Sequence, residues 1–433
     1  MRFLWLSSLI LAGQICSAAD ISGAWVAEVT SFGEPQYARV ALQTAGSKVA
    51  GSWGEWKVEG TINGSQVSFS IADPDGRPLG SLNGAPSGAG FTGGGNLAAQ
   101  RRNGGAAERQ QVDWKLTRPA QPPPGGPKTW DFEPRVFYSY YSAANPPALH
   151  IFPGDTVRTW TVDAGGISPK LERLSRGGDA TTGPFYIEGA LPGDTLVVKL
   201  KRVRINRDSA REGNRINGKA VTSAYAAAAK YSPDFNSEWK LDAEKGTATM
   251  LHPTDRMKDF TVKIVPMLGC LAVAPPGDEI LRGTDLGNFG GNMDYNHNGE
   301  GTTLYFPVFH PGALFVLGDG HAAMGDGELT GSALETSMNV EFTVDVIKGY
   351  ASTQPRADDG EYLISFGIGG SIPESIQNAT TQLVEWLKKD YRLNDNEVAV
   401  LLGTVLKYDI TEMVDPKYNV VAKVPKSALA SFR

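Results

Sequence analysis

Closely spaced turn formers divide this chain into short segments and limit the folds that it can adopt. Of its 433 residues, 51 are glycine and 27 are proline, without the regular period of a collagen. Both residues interrupt long helices and mark turns. Between them, apolar and polar residues alternate in runs such as 24–29 and 66–71, which is the period of half-buried β-strands. We therefore expect a mainly β protein and exclude a coiled coil.

The N-terminal segment, residues 1–19, differs from the rest of the sequence. A basic residue, Arg2, is followed by an apolar run and then by small residues, which is the pattern of a cleaved signal peptide. The run is shorter than the ~20 apolar residues that a membrane-spanning helix needs. We expect a signal peptide, a mature chain without a membrane span, and a secreted or periplasmic location. After cleavage only Cys270 would remain, so no internal disulfide is expected.

A proline-rich stretch, residues 119–129, separates two domains of different size. It begins PAQPPPGGP, a composition that favours an extended linker. Before it, alternating runs in residues 20–118 predict a small antiparallel β-sandwich or barrel. The opening Gly23-Ala24-Trp25 is similar to the start of lipocalin-like barrels; a tryptophan in an ordinary core explains the same three residues. We interpret the glycine-rich tract 84–107 as a mobile hairpin loop.

The larger domain, residues 130–433, is predicted to be a β-sandwich followed by a C-terminal α/β part. Pro-Gly-Asp turns recur beside strand-like runs, as in a sandwich. Near the C-terminus, apolar residues at helical spacing predict a helix over 373–391. A second helix is expected from Asn394 to Leu406, with Asn394 and Glu397 forming a capping box.

Charge and motif content exclude several classes of function. The chain has 41 lysine and arginine residues against 47 aspartate and glutamate residues, a net charge of −6. It has no basic stripe suited to a nucleic acid. The nucleophile elbow Gly-x-Ser-x-Gly, the zinc motif His-Glu-x-x-His and the phosphate-binding loop are absent from the sequence. Cys270 lies in an apolar run, so we expect a buried structural thiol and not a nucleophile.

One region, residues 287–335, contains most of the candidate catalytic and metal-binding residues. Its acidic residues and a histidine stand beside glycines, which permit sharp turns. Asp319 and His321 are two residues apart, as are Asp326 and Glu328, so each pair shares one side of an extended chain. Crowded carboxylates raise one another's pKa unless a cation neutralises them. The region therefore predicts a metal site, with ordinary solvated turns as the alternative.

Longer motifs in and around this region resemble a known family. They are GGNMD at 290–294, LYFPV at 304–308, GALF at 312–315 and GDGHAAMGDGE at 318–328, with supporting segments at 146–157, 182–194, 414–416 and 424–426. Over residues 130–430 the sequence resembles the acetamidase/formamidase family. The resemblance implies a jelly-roll-like β-sandwich with a smaller α/β part, and assembly into homo-oligomers. Residues 20–118 lie outside it, and residues 202–263 are less recognisable.

The resemblance also implies an amidase, a hydrolase of C–N bonds other than peptide bonds. Short linear amides would be its small-molecule substrates, with carboxylate and ammonia as products. The candidate metal ligands are Asp163, Asp294, Asp319 and His321. The candidate catalytic residues are Asp326 and Glu328, which would move a proton to the leaving ammonia, and Asn292, which would orient the amide. A divalent ion, with zinc preferred, would activate the attacking water.

Two other interpretations stay open from the sequence. The same fold could be a non-catalytic binding module whose acidic loops hold structural calcium through oxygen ligands. Alternatively, catalysis would lie in the larger domain, and residues 20–118 would be an interaction module for envelope surfaces or partner proteins. Metal content and ammonia release would separate the calcium-binding module from an amidase.

Overall fold

A computed structural model describes residues 20–98 and 109–432 of the chain. They form two compact units that divide between Gln121 and Pro122. Strands dominate both units, which confirms the expected mainly β fold class. The signal peptide expected at residues 1–19 lies outside the described residues. No helix in the described part of the chain is long and apolar enough to cross a membrane.

The described residues of the first unit form a closed antiparallel barrel in which each strand pairs with the next and the last pairs with the first. Its strands are β1 (Gly23–Ser31), β2 (Glu34–Ala45), β3 (Lys48–Trp53), β4 (Trp56–Asn63), β5 (Gln66–Ala72), β6 (Pro78–Ser87), β7 (Gly90–Ala98) and β8 (Arg109–Thr117). Alternate side chains point inward and build an aromatic core around Trp53, Phe69 and Trp114. At one end Trp25 is buried, and the Arg118 guanidinium lies 3.6 Å from its ring centre.

The expectation of a hairpin loop over 84–107 is wrong for the part that the structure describes. Residues 84–98 belong mostly to β6 and β7, while residues 99–107 lie outside the described residues. Packing within the barrel requires glycine at two of these positions. A Cβ at Gly84 would lie 2.3 Å from Cζ2 of Trp114, and one at Gly93 would lie 1.9 Å from the Asn83 carbonyl oxygen. Glycine here makes room for a large core residue and for close approach of the neighbouring strand.

The second unit contains the remaining strands. They are β9 (Thr129–Asp131), β10 (Tyr140–Tyr141), β11 (Leu149–Ile151), β12 (Thr156–Trp160), β13 (Thr181–Ile187), β14 (Thr195–Ile205), β15 (Ser209–Arg211), β16 (Glu238–Asp242), β17 (Thr247–Met250), β18 (Thr261–Lys263), β19 (Met267–Ala272), β20 (Leu281–Arg282), β21 (Leu286–Gly287), β22 (Gly290–Asn292), β23 (Thr303–Pro307), β24 (Phe315–His321), β25 (Glu335–Thr336), β26 (Met338–Ile347), β27 (Arg356–Asp358), β28 (Tyr362–Gly369), β29 (Lys407–Glu412) and β30 (Tyr418–Pro425).

Two large sheets contain most of these strands. One has the order β29-β30-β28-β27-β23-β14-β26-β12-β9, and the other runs β18-β17-β16-β15-β25-β24-β19-β22-β21 with β13 also paired to β24 and β11 paired to β13. A single apolar core joins them, to which Leu200 and Phe342 of the first sheet and Leu271 and Phe315 of the second contribute. Burial of this apolar surface is the main stabilising term of the unit.

Helices are few among the described residues: α1 (Ser223–Ala228), α2 (Ile372–Asp390) and α3 (Asp395–Val405), with short 3-10 turns at Gly218–Ala220 and Lys426–Phe432. Helix α2 agrees with the predicted helix to within one residue. The Asn394 side chain accepts from the backbone N–H of Glu397, and the Glu397 carboxylate accepts from that of Asn394, so the predicted capping box is confirmed. Leu383 and Leu387 of α2 pack against Val424 of β30.

Candidate metal centre

Four neighbouring strands of the second sheet, β25, β24, β19 and β22, place the candidate side chains. His321 is the last residue of β24 and is the register partner of Met267 in β19 and of Glu335 in β25. Asp319 lies two residues earlier in the same strand, so the two residues are in the extended segment that the sequence predicted. Asp294 follows β22, which pairs with β19. Because cross-strand neighbours share one face of a sheet, this pairing brings residues that are far apart in sequence to one point.

The imidazole of His321 is fully buried and is surrounded by carboxylates. Its Nε2 atom lies 3.1 Å from Oε2 of Glu335, 3.5 Å from Oδ1 of Asp319 and 3.9 Å from Oε1 of Glu328. Its Nδ1 atom lies 3.9 Å from Oδ1 of Asp294. Three carboxyl groups therefore lie near Nε2 of the ring, and a fourth lies near Nδ1.

These side chains form three overlapping groups, in each of which one ligand atom per residue lies within 4.8 Å of the others. The groups are Asp294, His321 and Glu328; Asp319, His321 and Glu335; and Asp294, Glu412 and Asp415. His321 and Asp294 each belong to two groups. We call the union of these seven residues the acidic cluster.

Gly269 of β19 creates the space in which two of the carboxylates meet. A Cβ atom at this position would lie 2.2 Å from Oδ1 of Asp294 and 2.3 Å from Oδ2 of Asp319. Contacts this short do not occur for real side chains, so any larger residue would displace both carboxylates. Gly269 thus belongs to the construction of the acidic cluster although it carries no ligand atom.

Three acidic residues of the cluster have left-handed backbone conformations. The φ angles are +36° for Asp294, +55° for Asp319 and +45° for Glu328. Residues other than glycine adopt this region at an energetic cost, and such residues are concentrated at functional sites. The surrounding sheet therefore holds three carboxylates in orientations that a relaxed backbone would not favour.

The electrostatics of the acidic cluster are unfavourable without a counter-ion. Burial, followed by neighbouring carboxylates, raises the pKa of Asp294 and Glu328 well above the usual range. Burial likewise raises the pKa of Glu335 and of Asp415 to about 7 in each case. Burial alone would lower the pKa of His321, but Glu335 and then Asp319 raise it well above its ordinary value.

The donor atoms of the cluster fit a divalent cation. Both carboxylate oxygens of Asp294, both ring nitrogens of His321 and one oxygen each of Asp319, Glu335 and Glu412 are buried without a hydrogen-bond partner. Buried polar atoms rarely stay unpaired, and a cation bound to one ring nitrogen of His321 would also satisfy the carboxylate oxygens of the group around it. An imidazole among carboxylates suits zinc or a similar transition metal, whereas calcium takes oxygen ligands.

Three of the predicted site residues, Asp163, Asp326 and Asn292, lie outside the acidic cluster. The Asp163 carboxylate accepts a hydrogen bond from the Arg207 guanidinium at 2.5 Å and another from the backbone N–H of Ile167 at 2.8 Å. Its charge is thus already paired, and it belongs to none of the three groups. Asp326 is exposed and accepts from the Asn296 side-chain amide at 2.9 Å. Both residues are adjacent to the cluster in the fold without sharing its centre.

Asn292 borders the acidic cluster and links it through hydrogen bonds to the buried Cys270. Its Nδ2 donates to Oδ2 of Asp415 at 2.9 Å, and its Oδ1 accepts from Sγ of Cys270 at 2.9 Å. The Tyr141 hydroxyl donates to the Gly283 carbonyl at 2.8 Å and lies 3.1 Å from the same sulfur. Burial raises the pKa of the Cys270 thiol well above its ordinary value, which agrees with an inert structural cysteine.

Sequence reasoning did not select Glu335, Glu412 or Asp415 as site residues. Glu335 was noted only as the end of the acidic region, and its place depends on the β24–β25 register. Asp415 lies in a segment that supported the family resemblance, so that segment contained a usable signal. Glu412, at the end of β29, accepts from the backbone N–H groups of Val414 and Asp415. No spacing in the sequence links Glu412 to the motifs at 290–294 and 318–328.

A cavity of about 660 Å³ opens beside Glu328. Asp326, Asn296 and Trp239 are also among the residues that line it. Glu328 is therefore shared between the cavity and the acidic cluster.

The sequence of the second unit is similar to those of known acetamidases and formamidases. Residues 277–429 match the model of the Acetamidase/Formamidase family. An acetamidase of Mycolicibacterium smegmatis is 25% identical over 298 residues, covering 52% of this chain and 72% of that protein. A formamidase of Methylophilus methylotrophus is 24% identical over 297 residues, covering 54% and 72%. Their names describe amide hydrolysis, which does not favour the interpretation of the fold as a calcium-holding binding module.

Solved structures agree with the sequence matches. The crystal structure of a predicted acetamidase/formamidase from Thermoanaerobacter tengcongensis superimposes with a TM-score of 0.61 at 26% identity, covering 71% of this chain and 99% of that one. An acetamidase from Yersinia enterocolitica gives a TM-score of 0.60 at 28% identity, covering 70% and 94%. Sequence and fold thus make the second unit of this chain similar to acetamidases and formamidases, with residues 277–429 matching the family model, and the β-barrel precedes it as an additional N-terminal domain.

Proposed function

We propose that this protein is an exported amidase that hydrolyses short linear amides of the formamide and acetamide class with the help of a divalent metal ion. The observation that carries the proposal is the buried His321 ring, whose two nitrogens are approached by four carboxyl groups and have no hydrogen-bond partner. A catalytically useful cation site needs such a preorganised set of donors beside an accessible cavity.

The ion would be held by residues of the acidic cluster. His321 with Asp294 and Glu328, or with Asp319 and Glu335, offers one imidazole and two carboxylates, a ligand count found in catalytic zinc sites. When bound, zinc or a similar ion lowers the pKa of a coordinated water and polarises a carbonyl oxygen. Asp163, a candidate ligand from the resemblance, and Asp326, a candidate catalytic residue, are not part of this ligand set.

The chain's own residues would divide the remaining tasks. Glu328 borders both the cavity and the cluster. With the ion held by His321, Asp319 and Glu335, its carboxylate is free to take a proton from the attacking water and pass it to the leaving nitrogen. Asn292 donates a hydrogen bond to Asp415 and would hold the Asp415 carboxylate at the edge of the cluster. The overall reaction adds water across the C–N bond, so that the amide becomes a carboxylate and the nitrogen leaves as ammonium.

Export and assembly are parts of the proposal that rest on the sequence. Residues 1–19 have the pattern of a signal peptide, which would deliver the enzyme to a secreted or periplasmic location. Homo-oligomeric assembly is proposed from the family resemblance. Zinc is preferred over calcium because of the imidazole ligand.

Ammonia release from formamide and acetamide, measured before and after treatment with a chelator, tests the proposed function. We expect release that stops on chelation and returns when zinc is added. The variant His321→Ala should lose at least a hundredfold in kcat/KM, whereas the matched variant His252→Ala, at an exposed histidine, should not change it. Turnover that is insensitive to both chelator and His321→Ala would contradict the proposal.

A further inference from the structure

The cavity beside Glu328 is much larger than the amides proposed above. A water molecule takes up about 30 Å³ in the liquid, so acetamide, with four heavy atoms, needs on the order of 100 Å³. The cavity measures about 660 Å³, within the usual range of ligand pockets. Because Glu328 forms part of its wall, an amide bound with its C–N bond at the cluster would have its acyl group in this space.

Apolar side chains form much of the wall. Trp239 and Phe260 meet edge to face with ring centres 5.9 Å apart, and both line the cavity with Val262. These three residues belong to the segment 202–263, which departs from the clear part of the family resemblance. Val265 and Leu329 also line the cavity.

Several of these residues are exposed to an unusual degree for their size. Phe260 and Val265 are each 48% exposed, and Leu329 is 45% exposed, although all three face one cavity. Large apolar side chains gathered at one exposed place mark a binding surface. A ligand with an apolar group would remove their surfaces from water, which is favourable in proportion to the area buried.

The charges around the cavity select against an anionic acyl group. Glu212, Asp326 and Glu328 contribute carboxyl groups to its wall, against the single ammonium group of Lys263 among the lining residues. A substrate that carried its own carboxylate would lose water there with only Lys263 to pair with, which is unfavourable. A neutral apolar group meets no such penalty.

We propose that the site selects primary amides whose acyl group is neutral, apolar and bulky, of aryl or branched-alkyl size, in preference to formamide and acetamide. This inference rests on the proposed function, because it names the substrate class of the same site. Phe260, Trp239 and Val265 then determine specificity through contact with the acyl group.

Kinetics with an amide series test the inference. Ammonia release is measured for acetamide, phenylacetamide and succinamate, and kcat/KM is expected to be at least tenfold higher for phenylacetamide than for acetamide, with succinamate the poorest. Acetamide as the best substrate would overturn the inference and leave the proposed function intact. Ammonia release from none of the amides by zinc-loaded protein would overturn both.

A pair of variants locates the selectivity in the cavity. Phe260→Ala should lower the ratio of kcat/KM for phenylacetamide to that for acetamide by about tenfold. Leu251→Ala removes a comparably exposed apolar side chain, 46% exposed, that does not line the cavity, and should leave the ratio unchanged. An unchanged ratio in Phe260→Ala would overturn the assignment of this cavity to the acyl group.

Binding without turnover gives an independent measurement. Benzyl methyl ketone has the shape of phenylacetamide but no C–N bond to cleave. In titration calorimetry on the full chain it should bind at least tenfold more tightly than butan-2-one, and Phe260→Ala should remove the difference. Equal affinity for the two ketones in the unmodified protein would overturn the inference whatever the kinetics show.

Discussion

The Nε2 atom of His321 lies 3.1 Å from Oε2 of Glu335, and the two residues are register partners on adjacent strands β24 and β25. Their contact is therefore built into the sheet and does not depend on a flexible loop. It also ties Glu335, a residue without an obvious motif, to the only histidine of the acidic cluster.

Replacing Glu335 tests whether this contact matters for metal binding. Glu335→Gln keeps the size of the side chain and removes its charge, so we expect zinc affinity to fall by about 10- to 100-fold, as for other groups that hold or orient metal ligands. Zinc affinity is measured by competition with a chromogenic chelator. Glu244→Gln, at an exposed position, serves as the control, and equal affinities in the two variants would remove Glu335 from the centre.

Gly269→Ala tests the space that the carboxylates share. The new methyl group would meet Oδ1 of Asp294 at 2.2 Å and Oδ2 of Asp319 at 2.3 Å, so the carboxylates must move. We expect loss of bound zinc and a decrease in the free energy of unfolding of about 1–3 kcal/mol. Both are measured on purified protein, by metal analysis and by denaturant unfolding.

The control for that variant is Gly403→Ala in helix α3. No atom lies within 4 Å of a Cβ at this position, and alanine favours a helix over glycine by about 1 kcal/mol. Gly403→Ala should therefore keep its zinc and be as stable as the unmodified chain or slightly more stable. A Gly269→Ala protein that binds zinc as well as Gly403→Ala does would contradict the packing argument.

The stability of the chelator-treated protein should depend on pH with a defined sign. The folded pKa is about 7 for both Glu335 and Asp415, above the unfolded values of about 4. The folded state thus binds more protons, and its stability falls as the pH rises from about 4 through 7. We expect the melting temperature of chelator-treated protein to decrease between pH 5 and pH 8.

Added zinc should reverse this trend, because a cation stabilises the ionised carboxylates and competes with protons. The increase in melting temperature on adding zinc should therefore be larger at pH 8 than at pH 5. In Glu335→Gln, which cannot titrate at this position, the decrease without zinc should be smaller. A zinc effect that is the same at both pH values would show that ionisation of these carboxylates is not linked to zinc binding.

Removal of the barrel tests the third interpretation of the sequence. The described residues of the barrel have a core of their own around Trp53, Phe69 and Trp114, and the unit that begins at Pro122 contains the whole acidic cluster. A protein of residues 122–433 should hydrolyse amides with unchanged kcat/KM. A folded but inactive fragment, as judged by circular dichroism and ammonia release, would show that the barrel contributes to catalysis.

Local patterns predicted much of the fold and of the site. Alternation predicted the strands, and cap residues predicted α3. Asp294, Asp319, His321 and Glu328 were selected from glycine-bounded motifs, and the structure places them together. Such features depend on neighbours in the sequence, which is why they could be predicted without coordinates.

Other features depend on contacts between distant segments. Glu335 and Glu412 enter the cluster through strand register and the position of β29, which no local pattern encodes. Asp163 looked like a ligand, but its charge is paired with Arg207, a residue distant in sequence. The glycine-rich parts of strands β6 and β7 were predicted as a loop because glycine has a low propensity for β-strands. In this barrel, however, Trp114 occupies the space that Gly84 leaves.

The central claim is that His321 and carboxylates of the acidic cluster hold a metal ion, and anomalous scattering at the zinc absorption edge tests it most directly. In crystals of the active, zinc-loaded protein, we expect an anomalous peak at ~2.0–2.2 Å from a His321 nitrogen and from carboxylate oxygens of either Asp294 and Glu328 or Asp319 and Glu335. Active protein whose crystals show no peak beside His321 would contradict the claim.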